Sequence, residues 1–144
     1  MKLDLKEWIA KVTGQTEFKT LLWTNPNPSQ GFSPQTVLNN GELSGYDAIE
    51  VYATFLEGNA PSTIGGYCKA NVGGAGIIQF VNLSTDNTSN ASTFLNNVAR
   101  TFTVSESGGV TFANGQMTYI GGAYPNWANR AVPQKIYGIR YVGG

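Results

Sequence analysis

The sequence predicts an all-β protein: an antiparallel, jelly-roll-like β-sandwich preceded by one short amphipathic helix. Beyond residue 14, β-branched and aromatic residues occur in short runs, which Gly, Asn, Pro and Ser separate at intervals of about eight to twelve residues. The 18 glycines are well above ordinary usage. A chain of 144 residues amounts to about one domain, so we assign residues 1–14 to a helix for assembly or anchoring and residues 15–144 to the sandwich.

The N-terminal helix is indicated by four apolar residues whose spacing places them on one helical face: Leu5, Trp8, Ile9 and Val12. A helix of about eleven residues is marginal in water, so this apolar stripe must be covered. There are two alternatives for the surface that covers it: the β domain of the same chain, or copies of the helix around a symmetry axis. We predict self-association through the stripe, with a homotrimer as the expected state.

The predicted strands are residues 18–24, 36–40, 48–56, 66–72, 76–83, 99–105, 110–116, 116–122 and 135–142. Residues 25–34 are a predicted loop, because three prolines there remove ladder donors. Two-residue turns are predicted at Asn40-Gly41, Gly73-Gly74 and Asn114-Gly115, and residues 99–122 are predicted to form a meander.

Alternation within residues 48–56 predicts a strand with one buried side and one wet side. The apolar side comprises Ile49, Val51, Ala53 and Phe55. The side expected to face solvent comprises Glu50, Tyr52 and Thr54.

The charge balance argues against two classes of partner. Nine Lys and Arg offset nine Asp and Glu, so there is no excess positive field for nucleic acid or an anionic membrane. Charges at Lys2, Asp4 and Lys6 interrupt any apolar stretch that could serve as a signal peptide. We therefore expect a protein made in the cytoplasm that contacts neither nucleic acid nor membrane.

The residue inventory argues against catalysis. The chain has no histidine, which removes the commonest general base and metal ligand. Cys68 is the only cysteine, so we expect no internal disulfide, no metal site and no cofactor, and we expect its thiol to be half-buried and inert. Asp47 and Glu50 form the one close acidic pair in a strand region, but alternation sends them to opposite faces if both lie in the strand. We predict a solvated, structural role for both and no enzymatic activity.

One segment carries the chemistry of a ligand site. In residues 124–130, aromatic rings that could stack on a sugar stand beside amide and guanidinium groups that could bind its hydroxyls. The candidate ligand-binding residues are Tyr124, Asn126, Trp127, Asn129 and Arg130. The alternative is that Trp127 closes one end of the sandwich core.

The two chain ends carry a family resemblance. The opening MKLDLKEWIAKVTG and the ending VPQKIYGIRYVGG resemble those of small minor structural, tail-tip proteins (baseplate or receptor-binding) of siphophages and prophages of Gram-positive bacteria. The resemblance implies a non-catalytic, oligomeric virion component, expected to be a trimer. In it the helix anchors to the tail tip, and the β domain faces other virion proteins or a receptor on the host surface.

Two other functions remain as alternatives to the virion protein. A carbohydrate-binding module would use the 124–130 loop and expose Tyr124 or Trp127. A glycan-degrading enzyme would place two carboxylates across a groove, about 5 to 9.5 Å apart.

Overall fold

The computed structural model describes residues 16–57, 60–85, 93–120 and 128–142, together with Leu5 and Trp8. The described elements are nine strands and one short 3-10 turn: β1 Glu17–Thr24, β2 Gln35–Val37, β3 Ala48–Glu57, β4 Ala60–Asn71, β5 Ala75–Thr85, β6 Thr93–Ser105, β7 Gly109–Phe112, β8 Gln116–Ile120, the 3-10 turn Ala128–Arg130 and β9 Ala131–Tyr141. The all-β prediction is confirmed for this part of the chain.

Of the predicted N-terminal helix, only Leu5 and Trp8 are described, and two residues do not define a helix. Ile9 and Val12 lie outside the described residues. Among the described residues, no helix is long and apolar enough to cross a bilayer.

Two antiparallel sheets enclose the core. Sheet A has the order β1-β9-β3-β4, and sheet B has the order β2-β7-β6-β5, with β8 also paired to β6. The core side chains come from both sheets, and the rings of Phe55 on β3 and Phe80 on β5 meet across it with centroids 6.1 Å apart. Full burial of such side chains contributes about 1.5–3 kcal/mol each. This arrangement confirms a sandwich-like architecture.

The inner face of β3 agrees with the sequence. Ile49, Val51, Ala53 and Phe55 are at most 2% exposed, as the alternation predicted. The prediction for the opposite face is wrong at Glu50, which is itself only 2% exposed.

Two predicted hairpins are instead crossings between the sheets. The chain turns at Gly73, where φ is 90°, but β4 pairs with β3 in sheet A whereas β5 pairs with β6 in sheet B. The turn bonds to β6, since Gly73 N donates to Val104 O and Val104 N donates to Gly74 O, both at 2.8 Å. Likewise, Asn40-Gly41 follows β2 of sheet B and leads to β3 of sheet A. These dipeptides mark where the chain bends, but tertiary packing selects the strand that is paired next.

The predicted meander over residues 99–122 is wrong because β7 and β8 do not pair with each other. Strand β5 occupies one side of β6, so β7 and β8 both pair with its other side, one after the other. Residues 113–115 interrupt this edge. There Arg100, which is fully buried, donates from Nη1 to Ala113 O at 2.6 Å. Asn114-Gly115 therefore lies in a break within one extended edge, not in a chain reversal.

The Arg100 side chain donates hydrogen bonds to three segments of the chain. Besides the bond to Ala113, its Nε donates to Ala131 O at 2.9 Å and its Nη2 donates to Phe32 O at 2.6 Å. Burial lowers the pKa of Arg100 to about 10, so it is still charged at neutral pH. Its cation is stabilised by oriented carbonyl groups, which is how a buried charge is tolerated without an acidic partner.

Candidate functional site

Three tyrosines form a cluster on the outer face of sheet A. Tyr52 on β3 lies opposite Tyr67 on β4, and Tyr137 on β9 lies opposite Glu50 on β3. The Tyr52 ring is 5.5 Å from each of the other two ring centroids, tilted by 41° to Tyr67 and by 79° to Tyr137. Tyr52 is 39% exposed and Tyr67 is 54% exposed. We call Tyr52, Tyr67 and Tyr137 the tyrosine face.

A buried carboxylate holds this face in place. Lys19 Nζ lies 2.8 Å from Glu50 Oε2, the Tyr52 hydroxyl donates to Oε2 at 3.2 Å, and the Tyr67 hydroxyl donates to Oε1 at 3.4 Å. The prediction that Glu50 is solvated fails because two of its partners, Lys19 and Tyr67, come from other strands, β1 and β4. Glu50 therefore serves to orient the two hydroxyls.

The ionisation of these partners suits that role. Burial, followed by the nearby carboxylate of Glu50, raises the pKa of Tyr52, so its hydroxyl is a proton donor at neutral pH. The hydrogen bond to Glu50 raises the pKa of Lys19, which keeps the ammonium charged.

Two ion pairs cross the outer face of sheet A. The Lys19–Glu50 pair spans β9, which lies between β1 and β3. The second pair, Lys69 Nζ to Glu17 Oε2 at 2.8 Å, joins the two edge strands β4 and β1. Its hydrogen bond lowers the pKa of Glu17 and raises that of Lys69. Together the two pairs connect β1 with β3 and β4 over the outer face of sheet A.

A depression lies on either side of Tyr52. The first, about 390 Å³, is lined by Tyr52, Ala53, Thr54, Gly65, Gly66, Tyr67 and Gln134. The second, about 400 Å³, is lined by Lys19, Tyr52, Gln134, Lys135 and Tyr137. Tyr52 and Gln134 border both, so the two depressions adjoin.

Different residues form the floor and the rim of the first depression. Gly65 supplies no side chain, and a Cβ there would meet only Ala53 O, at 3.9 Å. Gln134 Nε2 donates to Thr54 Oγ1 at 2.9 Å and to Pro28 O at 3.2 Å, which fixes its amide at the rim. The result is a shallow groove with aromatic walls, a backbone floor and an oriented amide.

The predicted ligand-binding loop is only partly described. Tyr124, Asn126 and Trp127 lie outside the described residues. Asn129 O accepts a hydrogen bond from Phe32 N at 3.1 Å, and Arg130 Nη1 donates to Leu56 O at 3.4 Å. These two residues therefore contact the loop after β1 and the end of β3, and the role of the loop in binding stays a prediction.

The predicted oligomerisation stripe is represented by two exposed side chains, since Leu5 is 66% exposed and Trp8 is 48% exposed.

Sequence reasoning missed the tyrosine face. The available signal was a tyrosine at an outward position in each of three predicted strands, but their adjacency depends on β9 pairing with β3.

Asp47 and Cys68 both contact the fold. Asp47 Oδ2 accepts a hydrogen bond from Tyr141 N at 2.8 Å. Cys68 is half-buried, as predicted, and packs against the core. In the described part of the chain, no group of three His, Cys, Asp or Glu side chains could hold a metal ion.

No protein-family profile, curated protein or solved structure matches this chain. The chemistry of the tyrosine face must therefore be inferred from its own geometry. Exposed rings, a fixed amide and the rim lysine Lys135 can bind an uncharged ring with polar substituents through stacking and hydrogen bonds.

Proposed function

We propose that this protein is a non-catalytic recognition protein that binds a saccharide on the tyrosine face. One observation carries the proposal: the Tyr52 ring stands between two adjoining depressions, and its hydroxyl is already bonded to buried Glu50. With the hydroxyl engaged, the exposed part of the ring offers an apolar surface to the C–H groups of a sugar. Gln134 and Lys135 stand at the rim, where sugar hydroxyls would need polar partners.

The placement of Asp47 and Glu50 supports a non-catalytic function. Glu50 is buried and paired with Lys19, and Asp47 accepts a backbone hydrogen bond. A glycosidase needs two carboxylates that face the scissile bond from opposite sides, and these two are committed to other contacts.

The setting that we propose for this activity is a phage-type virion, in which the protein is a tail or baseplate component and contacts a host receptor. The resemblance of the two chain ends supports this setting. The jelly-roll topology and the N-terminal assembly helix belong to the same proposal. The topology is supported by β9 lying between β1 and β3, so that the first and last strands pair, and by β2 lying beside β7.

The test is a direct binding measurement. The full chain is applied to a panel of immobilised bacterial glycans, and soluble oligosaccharides from the positive spots are titrated by calorimetry. We expect Tyr52→Ala to lose binding and Tyr52→Phe to retain it, because stacking needs the ring. Tyr141→Ala is the matched control, since Tyr141 is 45% exposed on the outer face of sheet A but lines neither depression. Absence of binding to every glycan, or equal loss in both alanine variants, would refute the proposal.

A further inference from the structure

Strand β5 forms a long free edge of sheet B. Among the described residues it pairs only with β6, through an uninterrupted register from Ala75 to Thr85. Its sequence, AGIIQFVNLST, has no proline and no charged residue. The other side of such a strand presents a row of backbone N–H and C=O groups suited to pairing with a further strand.

The other edges carry features that discourage such pairing. Strand β1 contains Glu17 and Lys19 and has a register shift between Leu21 and Trp23. Strand β4 contains Pro61 and Lys69. Strand β2 has only three residues, and β8, which pairs with β6 on the same side as β7, has five. Charges, bulges, prolines and short length are the devices by which proteins protect edges, and β5 has none of them.

We infer that β5 pairs with β5 of a second copy of this chain, in antiparallel orientation about a two-fold axis. The outward side chains of β5 indicate this partner. Ile77 is 48% exposed and Val81 is 64% exposed, and they flank Gln79, which donates to Asn97 Oδ1 at 2.9 Å. Pairing centred on Gln79 places each Ile77 opposite Val81 of the other copy.

That register follows from which side chains of β5 face the core and which face outward. Ile78 and Phe80 are buried in the core, so a shift by one residue would set an outward side chain against an inward one. Among the registers that keep the faces matched, centring on Gln79 pairs the two exposed aliphatic side chains with each other. A surface that is complementary to itself in this way generates a closed two-fold dimer.

The experiment measures the mass of the full chain by sedimentation. We expect an even-numbered oligomer, which is a hexamer where the N-terminal stripe also forms the predicted trimer. We expect Ile77→Lys with Val81→Lys to weaken self-association at least tenfold because like charges then oppose each other. The control is Thr101→Lys, which lies opposite Ile77 on β6 but away from the edge. Circular dichroism checks that each variant retains its β spectrum.

A second measurement traps the paired strands covalently. Directly opposed residues of an antiparallel pair have Cα atoms about 4.5–5.5 Å apart, within the range a disulfide spans. Gln79→Cys in a Cys68→Ser background should therefore form a disulfide-linked dimer on mild oxidation, and Thr101→Cys in that background should not. A monomeric full chain, an oligomer unchanged by the paired lysine substitutions, or equal cross-linking at both positions would overturn the inference.

Discussion

Lys19 on β1 reaches across β9 and places its ammonium 2.8 Å from the buried carboxylate of Glu50 on β3. This contact joins strands that are not neighbours and fixes the acceptor for two tyrosine hydroxyls. The ion pair therefore links the stability of sheet A to the geometry of the tyrosine face.

The first prediction concerns alkaline pH. The folded-state pKa values of Lys19 and Tyr52 are raised above their ordinary values of 10.5 and 10.0. For both groups the protonated form is favoured by folding, so their contribution is complete below pH 10 and is lost as pH rises through the folded-state pKa values. Urea unfolding between pH 8 and pH 11.5 should show a decline that is smaller in the Lys19→Met, Tyr52→Phe double variant. An equal decline in both proteins would contradict this.

The second prediction removes the central charge. Glu50→Gln should lower the free energy of unfolding by about 1–3 kcal/mol, because Lys19 loses its counter-ion and the tyrosine hydroxyls lose a charged acceptor. Glu106→Gln, in the exposed turn between β6 and β7, is the control and should change stability by less than about 0.5 kcal/mol. Denaturant midpoints measure both variants. Equal midpoints would mean that the carboxylate does not hold the face.

The third prediction separates filling the groove from damaging the core. Gly65→Leu should block the first depression and abolish saccharide binding with little loss of stability, since the space above Gly65 is open. Gly66→Leu should destabilise the fold, because a Cβ at that position would lie 2.9 Å from the Phe80 ring. Calorimetric titration with the same oligosaccharide and thermal unfolding read out the two effects. Retained binding in a folded Gly65→Leu protein would place the ligand elsewhere.

The fourth prediction tests the buried arginine. Arg100→Met should cost about 3 kcal/mol or more, because three carbonyl groups lose hydrogen bonds from a charged donor. Arg140→Met is the matched control. Its Nε donates to the exposed carbonyl of Gly45 and its guanidinium lies 5.3 Å from the Tyr46 ring, so the substitution should cost less than about 1 kcal/mol. Similar unfolding midpoints for the two variants would show that the carbonyl cluster is not what Arg100 stabilises.

The fifth prediction concerns the N-terminal stripe. Deleting residues 1–13, or combining Trp8→Asp with Ile9→Asp, should shift the mass in solution toward that of the monomer and leave the β spectrum intact. A substitution on the polar side, Lys6→Asp, is the control. If the truncated protein keeps the same number of subunits as the full chain, the stripe does not mediate self-association.

Local patterning predicted much of the secondary structure. Alternation over residues 48–56 identified the buried side of β3, because side-chain direction in a strand depends only on the strand itself. The prolines of residues 25–34 and the glycines at positions 41 and 73 located loops and turns for the same reason: the constraint lies within one or two residues.

By itself, then, the sequence determined that this protein is built of strands, where many of them lie and which side of β3 meets the core. Only the tertiary structure decided which strands are neighbours. Pairing of β9 with β3 brings Tyr137 opposite Glu50 across 87 positions of the chain. Lys19 from β1 and Tyr67 from β4 bond to the same carboxylate, which was predicted to be solvated and is buried. Arg100 holds three segments together because carbonyl groups from all three accept its hydrogen bonds. Contacts between distant residues depend on the packing of whole sheets, and no local pattern records that packing.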